Sequence, residues 1–213
     1  MGITERKERE KLELKDQILF AAKQIMAAEG QEKLSIRKIA ALIEYSPGTI
    51  YLYFKDKDEI IFELTQMGFQ LLTQSMLENL KISDPLLRLR TIGADYVHFG
   101  LTNPDWYELM FNSHQPIKHL KCCQAEWRDG YQLFETLVAT SQEIITTYVL
   151  SSLNPRVLAL MLWSTVHGLV NLAQSQRLEM VENNSANTLI AQTLDAMLTS
   201  CLHSKNCLSQ FTL

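Results

Sequence analysis

The sequence predicts an all-α fold, on the basis of three observations. Apolar residues recur three and four positions apart along most of the chain, which is the period of an amphipathic helix. Four of the five prolines directly follow Ser, Asp or Asn, residues that cap helix N-termini, and proline is favoured at the first helical position. The strand-like residues 144–150 have no partner strand and are better interpreted as the end of a helix.

Composition places the chain among folded globular proteins. Its 213 residues suffice for one or two domains, and 46% hydrophobic with 21% charged residues excludes collagen-like, low-complexity and disordered classes. The formal net charge of −4 is unevenly distributed, because residues 1–60 contain 11 basic and 11 acidic residues whereas residues 157–213 contain two and three. This asymmetry suggests two parts that bind different partners.

The first three predicted helices include a helix-turn-helix. Apolar residues at helical spacing predict a first helix that ends at Gly30, since glycine is favoured just beyond a helix C-terminus. Ser35 can cap a second helix over residues 36–43, and Ser46-Pro47 open a third that extends to Phe54. Two short helices joined by a tight turn are the unit that places its second helix in the DNA major groove.

The residues of this unit resemble a known family. The segment SIRKIA at residues 35–40, followed by SPGTIYLYFKDKDE at residues 46–59, closely resembles the DNA-binding domain of TetR-family transcriptional regulators. The resemblance implies a homodimeric repressor that binds a palindromic operator in double-stranded DNA and releases it when a small apolar effector enters the C-terminal domain. Carried over by position, it assigns DNA contacts to Arg37, Ser46, Pro47, Gly48, Thr49, Tyr51, Tyr53 and Lys57.

These residue types suit contacts with DNA. The hydroxyls of Thr49, Tyr51 and Tyr53 can bind phosphates or base edges, and Gly48 lets the backbone approach closely. An alternative interpretation is that both tyrosines pack within the protein and that Lys57 is a solvated charge.

The turn departs from the family pattern at Glu44, where many members have glycine, and at Tyr45, where they have a small apolar residue. A left-handed backbone at Glu44 would cost about 1 kcal/mol. A slightly different turn is the alternative.

The remaining chain is predicted to form a C-terminal helical bundle for effector binding and dimerisation. Asp56 and Glu59 form a capping box at the start of a long helix over residues 57–80, and further helices follow Pro85, Pro104 and Pro155. The predicted domains are residues 1–56, a DNA-binding helix-turn-helix domain, and residues 57–213.

An effector pocket is expected in the second domain. Residues 103–111 and the segment WSTVHG at 163–168 resemble the WHG-type subgroup of TetR C-terminal domains. Pockets combine apolar walls with a few polar groups. The predicted lining is His98, Trp106, Tyr107, Met110, Phe111, Trp127, Tyr131, Trp163 and His167. The alternative is that the aromatic residues are ordinary core and His167 a buried imidazole bonded to a neighbouring helix.

The last two long helices, near residues 155–178 and 188–201, carry almost no charge. Pairing with a twofold copy would bury them in a four-helix interface, which predicts a homodimer. Residues 157–176 are also long enough to cross a membrane, but seven of them are polar, so a helix buried in protein is favoured and no membrane partner is predicted.

Other functions find less support. No catalytic triad, phosphate-binding loop or paired carboxylates are apparent, so the chain is not predicted to be an enzyme and no cofactor is expected. His114, His119, Cys122 and Cys123 match no zinc spacing, and no metal is predicted. The alternatives are a small-molecule-binding helical protein and a redox- or metal-responsive regulator. The charged N-terminus is no signal peptide and the cysteines form no disulfide framework, which predicts a cytoplasmic protein.

Overall fold

The computed structural model describes residues 2–112, 128–150, 153–181 and 186–203. Throughout these ranges the regular secondary structure is helical, which confirms the predicted all-α class. The described chain divides into two compact units: residues 2–68 with 108–112, and residues 69–107 with those from 128 onward. The predicted division at residue 56 stays a prediction.

The first unit begins with a long helix, α1 (Ile3–Glu29), followed by a 3₁₀ turn (Gln31–Lys33). Gly30 ends α1 as predicted: its φ is 86°, and its N–H donates to the carbonyl of Met26. Next come α2 (Ile36–Leu42) and α3 (Pro47–Ile50), and α2 packs against both α1 and α3.

Side-chain caps start the short helices where the sequence places them. The Ser35 hydroxyl accepts a hydrogen bond from the N–H of Lys38, and the Ser46 hydroxyl accepts one from the N–H of Thr49. The prediction that α3 continues to Phe54 is wrong. The regular helix ends at Ile50, and the N–H groups of Leu52 and Tyr53 then bond to carbonyls three residues back, as in a tighter turn.

Helix α4 (Lys57–Met76) contributes residues to both units. Asp56 caps it by accepting the N–H of Glu59, but the Glu59 carboxylate accepts the N–H of Lys55, one residue before the partner that a capping box predicts. The helix ends at Met76 rather than near residue 80, and a 3₁₀ turn (Asn79–Lys81) follows.

The second unit is a bundle of long helices. They are α5 (Pro85–Thr102), α7 (Arg128–Thr147), α8 (Pro155–Gln174) and α10 (Ala186–His203), with the short α6 (Pro104–Tyr107) and α9 (Arg177–Val181) between them. Helices α5 and α8 pack against each other, and each also packs against α7 and α10. A π-helical turn (Glu108–Asn112) follows α6 and belongs to the first unit.

The bundle helices start and stop at identifiable residues. Asp84 and Asn154 cap α5 and α8 through their side-chain oxygens, as the sequence predicts. Residues 144–150 do end a helix, because α7 stops at Thr147 and Val149 has a φ of 56°. The single helix expected over residues 155–178 is divided, since Gln176 has a φ of 58° and separates α8 from α9.

Helices α5 and α8 approach each other closely at Gly100. A β-carbon built there would lie 2.6 Å from Val170 Cγ1 and 3.1 Å from Tyr107 Cδ2. The Gln174 amide also donates to the carbonyl of Gly100 at 2.9 Å. This crossing therefore requires glycine.

Among the described helices, α8 alone is long and apolar enough to cross a membrane by length and composition. One such helix is weak evidence, because a core helix of a soluble protein passes the same test.

Candidate nucleic-acid interface and buried aromatic cluster

The turn between α2 and α3 has the left-handed backbone at Glu44 that was one of the two conformations considered for it. Glu44 has a φ of 60°, and the N–H groups of Glu44 and Tyr45 bond to the carbonyls of Ala41 and Ala40. This is the Schellman arrangement in which glycine normally occupies the left-handed position. A non-glycine residue there costs about 1 kcal/mol, so the chain carries this strain at the centre of its helix-turn-helix.

We call residues 46–55 the recognition segment. Its two core residues, Ile50 and Phe54, are buried and fix its rotation against the first unit. Beside Ile50 on the segment, Tyr51 is 57% exposed, and Leu52, on the face opposite the two buried residues, is 78% exposed. The segment thus presents large apolar side chains to solvent, and their exposed surface adds no hydrophobic free energy to folding.

The structure places the eight predicted DNA contacts in the first unit. Five of them are exposed, namely Arg37, Ser46, Pro47, Gly48 and Tyr51, and three are half-buried, namely Thr49, Tyr53 and Lys57. Ser46 and Thr49 are already bonded to each other, since their hydroxyl oxygens lie 3.0 Å apart. These two side chains hold the start of α3, whatever else they contact.

Gly48 is not closely packed by the residues that the structure describes. A β-carbon there would meet only the Ser46 hydroxyl oxygen, at an ordinary contact distance of 3.5 Å. Beyond its chain neighbours and the backbone of its own helix, no other described atom lies within 4 Å of that position, so the backbone at Gly48 is available to an external partner.

Charged side chains near the recognition segment divide into paired and unpaired groups. The Lys38 ammonium bonds to Glu29 at 2.5 Å, and the Lys15 ammonium bonds to Glu63 at 3.1 Å. Arg37 and Lys55 are exposed and make no ion pair among the residues that the structure describes. These two cations are free to meet phosphates.

Three exposed apolar residues of the turn and the elements beside it are not among the predicted DNA contacts: Leu42, Tyr45 and Leu52. Leu52 could have been found from its position, because it lies two residues from each of the core residues Ile50 and Phe54 and therefore on the opposite face of a helical segment. Tyr45 and Leu42 follow only once the turn is known.

A hydrogen-bonded aromatic cluster lies inside the second unit. It consists of Tyr96 on α5, Tyr107 on α6, and Trp163 and His167 on α8. The Tyr96 hydroxyl oxygen is 3.2 Å from the Tyr107 hydroxyl and 3.2 Å from His167 Nδ1, and it accepts the indole N–H of Trp163 at 3.2 Å. The Tyr107 hydroxyl lies 2.5 Å from His167 Nδ1.

Burial keeps this cluster uncharged. It raises the pKa of Tyr96 to about 12 and also raises the pKa of Tyr107, whereas it lowers the pKa of His167. A neutral imidazole has one acceptor nitrogen. The Tyr107 hydroxyl and His167 Nδ1 share one hydrogen bond, in which Nδ1 accepts in one imidazole tautomer and donates in the other.

Only part of the predicted pocket lining comes together in the cluster. Tyr107, Trp163 and His167 meet there, and Tyr96, which is not part of the predicted lining, joins them. Trp106 and Met110 are buried, Phe111 is half-buried, and His98 and Tyr131 are exposed on α5 and α7. Trp127 lies outside the described residues.

Within the described ranges, no group of three or more His, Cys, Asp or Glu side chains could hold a metal ion. The sequence cluster of His114, His119, Cys122 and Cys123 lies outside those ranges.

Two family models match the chain. Residues 18–64 match the model described as bacterial regulatory proteins, tetR family, and residues 89–197 match the tetracyclin repressor-like C-terminal domain. Assignment to the WHG-type subgroup stays a prediction.

Two curated relatives match parts of the chain. An uncharacterized HTH-type transcriptional regulator of Haemophilus influenzae is 30% identical over 121 residues, which cover 54% of this chain and 65% of the relative. The fatty acid metabolism regulator protein of Bacillus subtilis is 35% identical over 65 residues, covering 30% of this chain and 34% of the relative. The chain therefore spans less than two thirds of the length of either relative.

Solved structures share the fold over most of the chain. The TetR family transcriptional regulator PfmR from Thermus thermophilus has a TM-score of 0.62 at 19% identity, covering 86% of this chain and 94% of its own. The fatty acid degradation regulator FadR from Bacillus halodurans has a TM-score of 0.63 at 20% identity, with the same coverages. FadR from Bacillus subtilis, in complex with stearoyl-CoA, has a TM-score of 0.60 at 18% identity, covering 90% and 98%.

Proposed function

Because the chain belongs to the TetR family of bacterial regulatory proteins, we propose that it is a ligand-responsive repressor that binds a palindromic operator as a homodimer. Members of this family are DNA-binding regulators rather than enzymes, in agreement with the prediction that the chain is not an enzyme. Its place of action is the cytoplasm, where bacterial DNA lies.

The exposed recognition segment is the observation that carries this proposal. Tyr51 and Leu52 are exposed on a segment that the buried side chains of Ile50 and Phe54 fix in place, and Gly48 leaves its backbone accessible. A groove of B-DNA accommodates such a segment, with tyrosine hydroxyls available for phosphates and base edges. Lys55, at the end of the segment, and Arg37, on α2, add two positive charges that make no ion pair among the described residues.

Dimerisation would make two such segments act together. A twofold dimer reads two half-sites when its recognition segments are about 34 Å apart, one turn of B-DNA. Helix α8 supports this proposal, because Val157, Leu160, Met161 and Leu172 are exposed apolar residues on it. A second copy would bury this face.

We propose a long-chain acyl group carried on coenzyme A as the effector. Support comes from the Bacillus subtilis FadR structure with stearoyl-CoA and from the names of two fatty acid regulators among the similar proteins. The neutral Tyr96, Tyr107 and His167 cluster suits a thioester carbonyl better than a carboxylate, since a buried unpaired charge is costly.

The effector would act by a population shift. If an acyl thioester binds the DNA-incompetent state more tightly than the DNA-competent state, operator affinity falls. The fall cannot exceed the ratio of the thioester's affinities for the two states. A tenfold loss of operator affinity therefore needs about 1.4 kcal/mol of differential binding.

The test has two stages. First, purified protein selects fragments from genomic DNA, and we expect a palindrome to be enriched. Second, fluorescence anisotropy on that palindrome should show weaker binding with stearoyl-CoA but not with coenzyme A or free stearate at equal concentration. An equal effect of free stearate would contradict the thioester assignment, and a selection without any palindrome would contradict the repressor itself.

A further inference from the structure

Leu52 is exposed to a degree that folding does not explain. At 78% exposure it is the most exposed large apolar side chain of the first unit's described residues. Its removal would cost the fold little, because the side chain buries almost no surface.

The geometry of the segment directs Leu52 away from the protein. The N–H groups of Tyr53 and Phe54 both bond to the carbonyl of Ile50 at 3.0 Å, so the chain keeps turning beyond the end of α3. At roughly 100–120° per residue, Leu52 lies about 200–240° from the buried Ile50. Gly48, one turn earlier, shares that outward face and adds no side chain. Leu52 is therefore the side chain at the centre of the outward face.

The chemistry of the major groove provides one apolar partner. Thymine alone presents a methyl group there, whereas the other base edges present hydrogen-bond donors and acceptors. Leucine has no donor or acceptor, so it can favour thymine over cytosine only by covering that methyl group. The exposed cations Arg37, on α2, and Lys55, at the end of the segment, favour DNA over a protein partner.

We propose that Leu52 contacts the 5-methyl group of one thymine in each half-site and thereby determines the base preference at that position. The proposal rests on the proposed function, since it assigns one specificity contact within the DNA-binding surface. Nothing in the family resemblance assigned a DNA contact to Leu52.

The experiment replaces each thymine of the selected operator by uracil, one position at a time, and measures affinity by anisotropy. Wild-type protein should lose about fourfold in affinity at one position per half-site, the amount expected for one methyl group leaving an apolar contact. Leu52→Ala should bind thymine and uracil equally at that position and should keep every other uracil effect. In an operator that has cytosine in place of this thymine, changing the cytosine to 5-methylcytosine should improve binding by the wild-type protein and leave binding by Leu52→Ala unchanged.

Leu12→Ala is the matched control, because it removes the same side chain from a position on α1 that is 63% exposed. It should preserve the thymine preference, and both variants should keep the wild-type unfolding temperature. Discrimination of thymine from uracil that persists in Leu52→Ala overturns the assignment. An altered oligomeric state of Leu52→Ala with unaltered base preference also overturns it. If the wild-type protein binds no operator, the proposed function fails together with this contact; if it binds but ignores uracil, only the contact fails.

Discussion

The recognition segment and the aromatic cluster contrast in how they treat polar and apolar groups. The segment exposes the apolar side chains of Tyr51 and Leu52, while the cluster buries the hydroxyls of Tyr96 and Tyr107. In the cluster the buried hydroxyls bond to one another and to neighbouring aromatic groups, so burial is compensated. In the segment the exposed apolar surface has no such compensation among the described residues of its unit, which is the pattern of a surface that serves an external partner.

Two glycines show the same contrast. Gly100 is required by a helix crossing inside the second unit, whereas a β-carbon at Gly48 in the first would meet only the Ser46 hydroxyl oxygen, at 3.5 Å. The same residue type therefore serves packing at one position and accessibility at the other.

Gly100→Ala should have the largest effect on stability. The new methyl group would lie 2.6 Å from Val170 Cγ1, and overpacking of this kind costs about 1–3 kcal/mol in free energy of unfolding. Gly93→Ala on the same helix is the control, because its nearest neighbour would be Val166 Cγ1 at 3.8 Å. Urea unfolding measures both variants. Equal stability of the two would mean that α5 and α8 do not cross as closely as described.

The aromatic cluster should make stability depend on pH. Burial holds the pKa of His167 below its unfolded value near 6.5, so the unfolded chain binds more protons as the pH falls below that value. Stability due to the neutral imidazole is therefore present above pH 6.5 and declines as the pH falls toward the folded pKa. Thermal unfolding between pH 8 and 5 should show this decline, and His167→Gln should reduce it. His98→Gln, at an exposed histidine, should leave it unchanged.

Glu44→Gly should stabilise the protein by about 0.5–1 kcal/mol, because glycine adopts the positive φ of the turn without the steric cost. Chemical denaturation compares this variant with Glu44→Ala, which keeps a β-carbon and should show no such gain. A gain in Glu44→Ala as well would assign the effect to the charge rather than to the backbone.

Gly48→Ala should leave stability within about 0.5 kcal/mol of wild type or raise it slightly, because alanine favours helix and meets no close neighbour. Operator affinity should fall, since the added methyl group stands where DNA would approach. A normal operator affinity in this variant would place the DNA elsewhere on the first unit.

Much of the fold was predictable because local chemistry determines it. Ser35, Asp84 and Asn154 cap helices as the sequence predicts, since capping depends only on residues within one turn. The errors lie at helix ends such as Met76, Ile50 and Gln174, where apolar periodicity continues but the hydrogen-bond pattern changes.

The site was predictable in part. The family resemblance predicted which residues of the first unit contact DNA, but it did not predict the exposure of Leu52. That exposure depends on how the buried Ile50 and Phe54 orient the recognition segment. The aromatic cluster needs contacts between α5, α6 and α8, so sequence spacing could pair Trp163 with His167 but could not add Tyr96.

The most direct test of the recognition segment as the DNA-binding surface is operator affinity after truncation of the Tyr51 side chain. Tyr131→Ala is the matched control, because Tyr131 is 54% exposed on α7 and Tyr51 is 57% exposed on the recognition segment. By anisotropy on the selected palindrome, Tyr51→Ala should weaken binding about tenfold or more, the loss expected for one good base or phosphate contact in each half-site, while Tyr131→Ala binds as wild type. Unchanged affinity in Tyr51→Ala would contradict the assignment of the recognition segment as the DNA-binding surface.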